Sequence, residues 1–191
     1  MAAADIGALV CVQAEGAVEG LRHIFPQEQY PFPVQEVTSR WERELADPDI
    51  DCFVVLDAVE EVSGFVATQG NQFLHFGTAL RTWGTGLAGQ AHDEVLALFS
   101  ARGHDYAWLR VFEANERARR FYSRRGWVPT GERSESGFPP NPVLLHYRID
   151  LGAARHERAK RGRSTDVELS SRVSPLLVEE FANLGRSPYE R

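Results

Sequence analysis

The chain has 191 residues, 43% hydrophobic and 25% charged, which suits one globular domain with a proper core and leaves little for a second. Its formal net charge is −6, and an acidic balance argues against a nucleic-acid partner, because phosphate contacts need clustered Lys and Arg. No stretch approaches the roughly 20 apolar residues of a membrane-spanning helix, and the opening Met1-Ala2-Ala3-Ala4-Asp5 lacks a basic leader, so a cytoplasmic location is expected.

Ile6, Val10, Ala17, Leu21 and Ile24 recur at helical steps and predict an amphipathic helix from about Asp5 to Phe25. Three prolines between Phe25 and Pro33 forbid regular helix and stiffen a loop. Val34 to Leu45 reads as a second helix, ended near Asp47-Pro48. Cys52 to Asp57, Ser63 to Thr68 and Gln72 to Gly77 read as strands, the first two separated by an acidic turn at Glu60-Glu61. Leu87 to Ala101 is a strongly apolar helix that stops near Gly103, and Tyr106 to Phe112 is a buried strand. Asn115 can cap a helix running to Arg125, with Gly126 as its stop. Trp127-Val128 and Val143 to Ile149 complete the strands, with a rigid loop from Gly137 to Pro142 between them. After Leu151 the composition turns polar. The expected organisation is one domain over residues 1–151 and a tail over 152–191, holding a basic linker, Arg155 to Arg163, and a short helical pattern, Pro175 to Leu184. Cys11 and Cys52 both read as buried reduced thiols, and no metal cluster is expected.

The chemistry concentrates after the third strand. Arg81-Thr82-Trp83-Gly84-Thr85-Gly86 leads into the helix that starts at Leu87. Backbone N–H groups of such a loop, with the helix N-terminus, make a site for a pyrophosphate. Glycines let the anion reach the backbone, and Arg81 offers a fixed cation. The P-loop Lys-Ser/Thr pair is absent. Gly84-Thr85-Gly86-Leu87-Ala88-Gly89 fits GxGxxG, and Glu113 stands where a ribose-binding acid could, but the glycines do not follow directly on a strand. A dinucleotide-dependent oxidoreductase is therefore the second reading of this loop.

Arg81-Thr82-Trp83-Gly84-Thr85-Gly86 resembles the CoA pyrophosphate motif, Gln/Arg-x-x-Gly-x-Gly/Ala, of the GNAT superfamily of N-acetyltransferases. Asn115, Ala118, Phe121-Tyr122 and Gly126-Trp127 resemble the second part of that family's core. The likeness spans roughly Asp51 to Asp150. It implies an α/β GNAT fold: a central mixed, mostly antiparallel sheet, flanked by helices and splayed between the strands at Gln72 to Gly77 and Tyr106 to Phe112. It implies acetyl-CoA as co-substrate and no metal. The pantetheine arm would pair with the backbone of Phe76, Gly77 and Thr78. Arg81, Thr82, Trp83, Gly84, Thr85, Gly86 and Leu87 would hold the phosphates, with Trp83 covering them from one side. Asn115 would add a contact, although capping alone accounts for it.

The resemblance gives Tyr122 the role of general acid toward the departing thiolate, since a phenol of pKa about 10 stays protonated at neutral pH. The plainer role for Tyr122 is a core aromatic beside Phe121. Many family members carry a Glu where this chain reads Gln69-Gly70-Asn71-Gln72. His75, on the same strand, is the candidate base, with Glu28 and Glu36 as alternatives. The family also opens with a short strand, absent here unless the start lies upstream. The expected reaction is direct transfer to a primary amine, small-molecule or peptide, in a ternary complex. A non-catalytic acyl-CoA-binding module is the other reading within this fold. No membrane partner is expected, and a homodimer is left open.

Overall fold

The computed structural model describes residues 1–152. The expected basic linker, the helical pattern at Pro175 to Leu184 and the tail 152–191 fall outside the described residues, except for Gly152. Four helices and six strands follow in the order α1 (Ile6–Gly20), α2 (Val34–Ala46), β1 (Ile50–Leu56), β2 (Val62–Gln69), β3 (Gln72–Thr78), α3 (Leu87–Ala101), β4 (Tyr106–Phe112), α4 (Glu116–Arg124), β5 (Val128–Glu135) and β6 (Val143–Asp150). The sheet runs β1-β2-β3-β4-β6-β5. Every pairing is antiparallel except β3 with β4, which α3 connects. This is the mixed, mostly antiparallel α/β sheet the sequence implied.

Alternation along β2 shows how two layers are made. Val66 joins the cluster of Phe73, Val95, Phe99, Leu109, Tyr122 and Trp127, under α3 and α4. Phe65 and Ala67 join Leu9, Val10, Val37 and Trp41, under α1 and α2. Successive side chains of a strand point to opposite faces, so a central strand covered by helices on both sides is buried almost throughout.

Three expectations need correction. Helix α1 ends at Gly20 rather than Phe25. Residues 21–25 form turns instead, with Phe25 N–H and Ile24 N–H both bonded to Leu21 C=O, and Ile24 is buried from that turn. Cys11 is exposed, while Cys52 is buried. Ile6, Leu9 and Val10 make the inner face of α1, and a 100° step turns Cys11 away from it. Burial pushes the Cys52 thiol up to about 11, which makes it a packing group rather than a nucleophile. Finally, β5 runs on to Glu135. Its Thr130-Gly131-Glu132-Arg133-Ser134 stretch is polar because it forms the exposed sheet edge. A register break between Pro129 and Arg133 accommodates Gly131 at φ 89°. No strand precedes α1 among the described residues. No helix of the described residues is long and apolar enough to cross a membrane.

Candidate active site

Strands β3 and β4 pair only at Gln72 with Trp108 and Phe73 with Leu109. Asn71 closes that end, its amide donating to Tyr106 C=O at 3.1 Å while its own carbonyl accepts from Trp108 N–H at 3.2 Å. Past Phe73 the two strands separate, and the edge of β3 from His75 to Thr78 faces no strand on that side. Phe76, Gly77 and Thr78 are thus on the free edge. Thr78 C=O already accepts from the Trp83 indole at 3.0 Å.

The loop at the open end is built from two left-handed glycines, Gly84 at φ 82° and Gly86 at φ 95°. Only glycine holds such angles without strain. The space beside both Cα atoms is open. The N–H groups of Gly84, Gly86, Ala88 and Gly89 find no acceptor among the described residues, and Leu87 N–H has only a long contact of 3.4 Å to Thr85 Oγ1. Free donors at the start of a fifteen-residue helix suit an anion. The other loop residues are structural. Thr82 is buried and donates to Ala79 C=O at 2.8 Å, and Thr85 donates to Thr82 C=O at 2.7 Å. Arg81 is turned away from the loop: its Nη2 donates to Ser63 Oγ at 2.8 Å and lies 3.3 Å from both Asp57 and Glu61 on the β1–β2 turn. The positive character of the loop therefore comes from its backbone. Trp83 lies against Gly20 of α1, with the Arg117 guanidinium 3.0 Å from its ring centre. That cation–π contact links the loop to the first turn of α4.

Tyr122 projects from α4 into the face of the sheet that α3 covers. It packs against Phe121 at 5.3 Å, Trp127 at 5.8 Å and His92 at 6.5 Å between ring centres. Its hydroxyl has no hydrogen-bond partner among the described residues. Burial raises its pKa well above the ordinary range. Asn115 Oδ1 accepts from Ala118 N–H at 3.1 Å, the helix cap the sequence predicted. Sequence reasoning missed His92 behind the tyrosine. Trp127 donates to His92 Nε2 at 2.8 Å, so Nδ1 carries the proton and donates to Asp93 at 2.9 Å. Burial lowers the His92 pKa and keeps the ring neutral. Glu113, the acid of the dinucleotide reading, is ion-paired with Arg133 at 2.7 Å.

His75 emerges on the opposite face. The β2–β3 register shifts so that Ala67 faces His75 and Thr68 faces Phe73, leaving Leu74 as the extra residue of a bulge. Leu74 and His75 consequently both lie on the α1/α2 side, with Phe73 and Phe76 on the other. His75 packs edge-on to Trp41 at 5.4 Å, and its Nε2 is 2.8 Å from Glu44 Oε1. A carboxylate there accepts a hydrogen bond from Nε2–H, which leaves Nδ1 as the nitrogen with a free lone pair. Glu44 was not singled out from sequence, although it lies one turn beyond Trp41 on the face of α2 that meets the sheet. Glu28 and Glu36 have no hydrogen bond to His75.

The sequence matches the family described as acetyltransferase (GNAT) over residues 18–127, more than half of the chain. The chain belongs to the GNAT acetyltransferase family. It is an acyltransferase, and the family uses acetyl-CoA. A search of curated proteins finds no sequence match. Solved structures with the same fold include a GCN5-related N-acetyltransferase from Rhodopseudomonas palustris, with TM-score 0.63 and 12% identity, covering 78% of this chain and 92% of that one. They also include spermidine N-acetyltransferase from Vibrio cholerae in complex with CoA and spermine, with TM-score 0.60 and 17% identity, covering 80% and 93%. Nourseothricin acetyltransferase matches with TM-score 0.50 and 22% identity over 55% and 67%. At these identities the likeness is one of GNAT fold.

Proposed function

We propose that this protein transfers an acetyl group from acetyl-CoA directly to a primary amine in a ternary complex. The observation that carries the reading is the gap between β3 and β4, with the free N–H groups of Gly84, Gly86, Ala88 and Gly89 after β3 and Tyr122 in the aromatic cluster under α3 and α4. The loop N–H groups bind the pyrophosphate, and the free edge of β3 from Phe76 onward pairs with the pantetheine amides. His75 Nδ1 takes the proton of the attacking ammonium, with Glu44 holding the imidazole in that tautomer. The amine nitrogen bonds to the thioester carbon, the C–S bond breaks, and the Tyr122 hydroxyl gives its proton to the departing sulfur. A phenol is protonated at neutral pH and so has a proton to give as the thiolate leaves.

Thermal unfolding with acetyl-CoA, CoA, NADH and NADPH tests the donor. A ligand at about 100 times its dissociation constant stabilises by roughly 2.7 kcal/mol. Acetyl-CoA and CoA should raise the melting temperature, and Gly84→Glu should abolish the shift by placing a carboxylate at the anion site. Stabilisation by the nicotinamide cofactors alone would overturn the reading. Thiol release with a panel of amines tests the transfer. Stabilisation by acetyl-CoA without release on any amine would favour the non-catalytic module instead.

A further inference from the structure

A cleft along α2 lies beside the carboxylate that holds the proposed base. Gln35, Glu36, Ser39, Arg40 and Arg43 of α2 and Phe138 of the β5–β6 loop line a cleft of about 370 Å³. Positions 36, 40 and 43 follow one another at helical spacing, so their side chains share a face. Arg40 lies under the Phe138 ring at 5.6 Å. At the inner end its Nε is 3.8 Å from Glu44 Oε1, and the same oxygen is 2.8 Å from His75 Nε2. The contacts run without a break from the cleft to β3, two residues past its last pair with β4.

The two guanidiniums in this cleft differ from several others among the described residues. Arg81, Arg102, Arg120, Arg125 and Arg133 each donate a hydrogen bond to a carboxylate. Arg40 and Arg43 donate none among the described residues, and 3.8 Å to Glu44 is too long to be one. Arg40 Nε and Glu44 Oε2 are both buried without a hydrogen-bond partner. Buried polar atoms are normally paired, so an unsatisfied donor beside an unsatisfied acceptor calls for an explanation. Glu36, at the outer end of the same face, does not reach this pair.

We infer that the acceptor is an amine that also carries a carboxylate, an amino acid or a close relative, whose carboxylate is held by Arg40 and Arg43 while its amine lies toward Glu44 and His75. Arg suits this task because its planar fork matches a carboxylate. A polyamine such as the spermine bound by the Vibrio cholerae enzyme would meet two cations here against the single carboxylate of Glu36. The inference rests on the acetyl-transfer reading and narrows it.

The test is thiol release from acetyl-CoA with a panel of α- and ω-amino acids, their carboxamides, and spermidine. Charge-assisted hydrogen bonds predict kcat/KM roughly tenfold to hundredfold higher for the best amino acid than for its amide. Arg43→Gln, at an exposed position that the fold tolerates, should collapse that ratio toward one. Arg40→Gln should do the same, with Arg43→Gln carrying the test if the more buried variant misfolds. Equal rates for acid and amide, preference for spermidine, or a ratio unmoved in Arg43→Gln would each overturn the inference and leave acetyl transfer standing. Absence of release with every amine tested would overturn the acetyl-transfer reading and this inference together.

Discussion

The two faces of strand β3 are built for opposite electrostatics. Toward α3 and α4, Phe73 and Phe76 enter an aromatic cluster with His92, Phe121, Tyr122 and Trp127. Its one buried histidine is neutral, and its phenol is held protonated by burial. Toward α1 and α2, His75 meets a carboxylate, Glu44, which in turn lies beside Arg40. Each face has its own buried tryptophan, Trp127 bonded to His92 and Trp41 bonded to Gln13. The contrast fits a division of labour. Giving a proton to a leaving sulfur needs a neutral acid in dry surroundings, whereas taking one from an ammonium needs a base with a carboxylate behind it. The bulge at Leu74 is what puts His75 on the α1/α2 face.

The largest expected effect breaks the dry face. Tyr122→Phe removes one oxygen and keeps the ring packing. Thiol release should fall by about 10²- to 10⁴-fold, the usual range for a lost general acid, with acetyl-CoA still stabilising the protein in thermal unfolding. A variant with normal turnover would reduce Tyr122 to a core aromatic. On the charged face, His75→Gln should slow turnover roughly 100-fold at neutral pH. That deficit should shrink as pH rises, because solution then supplies the free amine that the base would have made. A deficit constant from pH 7 to pH 9 would count against proton abstraction by His75.

Much of this was legible in the sequence because it rests on local backbone chemistry. Gly84 and Gly86 announce positive φ, Asn115 announces a cap, and the apolar runs announce strands and α3. What was not legible depends on register or on long-range partners. The direction of His75 is set by a bulge in the pairing of β2 with β3, which no residue type marks. Arg81 reads as a phosphate ligand, yet Ser63, Asp57 and Glu61 reach it from a turn some twenty positions earlier. The polar edge strand from Thr130 to Glu135 carries no alternation, because neither of its faces is buried. Arg40 and Glu44 look like an ordinary solvated i, i+4 pair until the fold lays them against His75.

A smaller effect compares the two tryptophans. Trp127→Phe leaves the buried His92 Nε2 without its donor. An unsatisfied buried acceptor costs about 1–3 kcal/mol on top of the lost ring volume. Trp41→Phe frees Gln13, which is only half-buried and can turn to water. Urea unfolding should therefore show the larger loss for Trp127→Phe, and the reverse order would mean that the charged face carries more of the stability.

The smallest effect probes how dry the aromatic face is. An unfolded histidine titrates at about 6.5, and burial lowers the folded His92 below that. Well above pH 6.5 the ring is neutral in both states and contributes no pH dependence. As pH falls, the unfolded chain binds a proton that the folded protein does not, so stability drops, with a slope of up to ~1.4 kcal/mol per pH unit until the folded pKa is reached. His92→Gln removes this contribution and leaves every other histidine in place. Stability from urea unfolding between pH 5 and 7.5 should thus fall less steeply in the variant, whatever its absolute level. Parallel curves would mean that the folded ring accepts the proton with help from Asp93, and that charge enters the face on which Tyr122 is expected to remain a neutral acid.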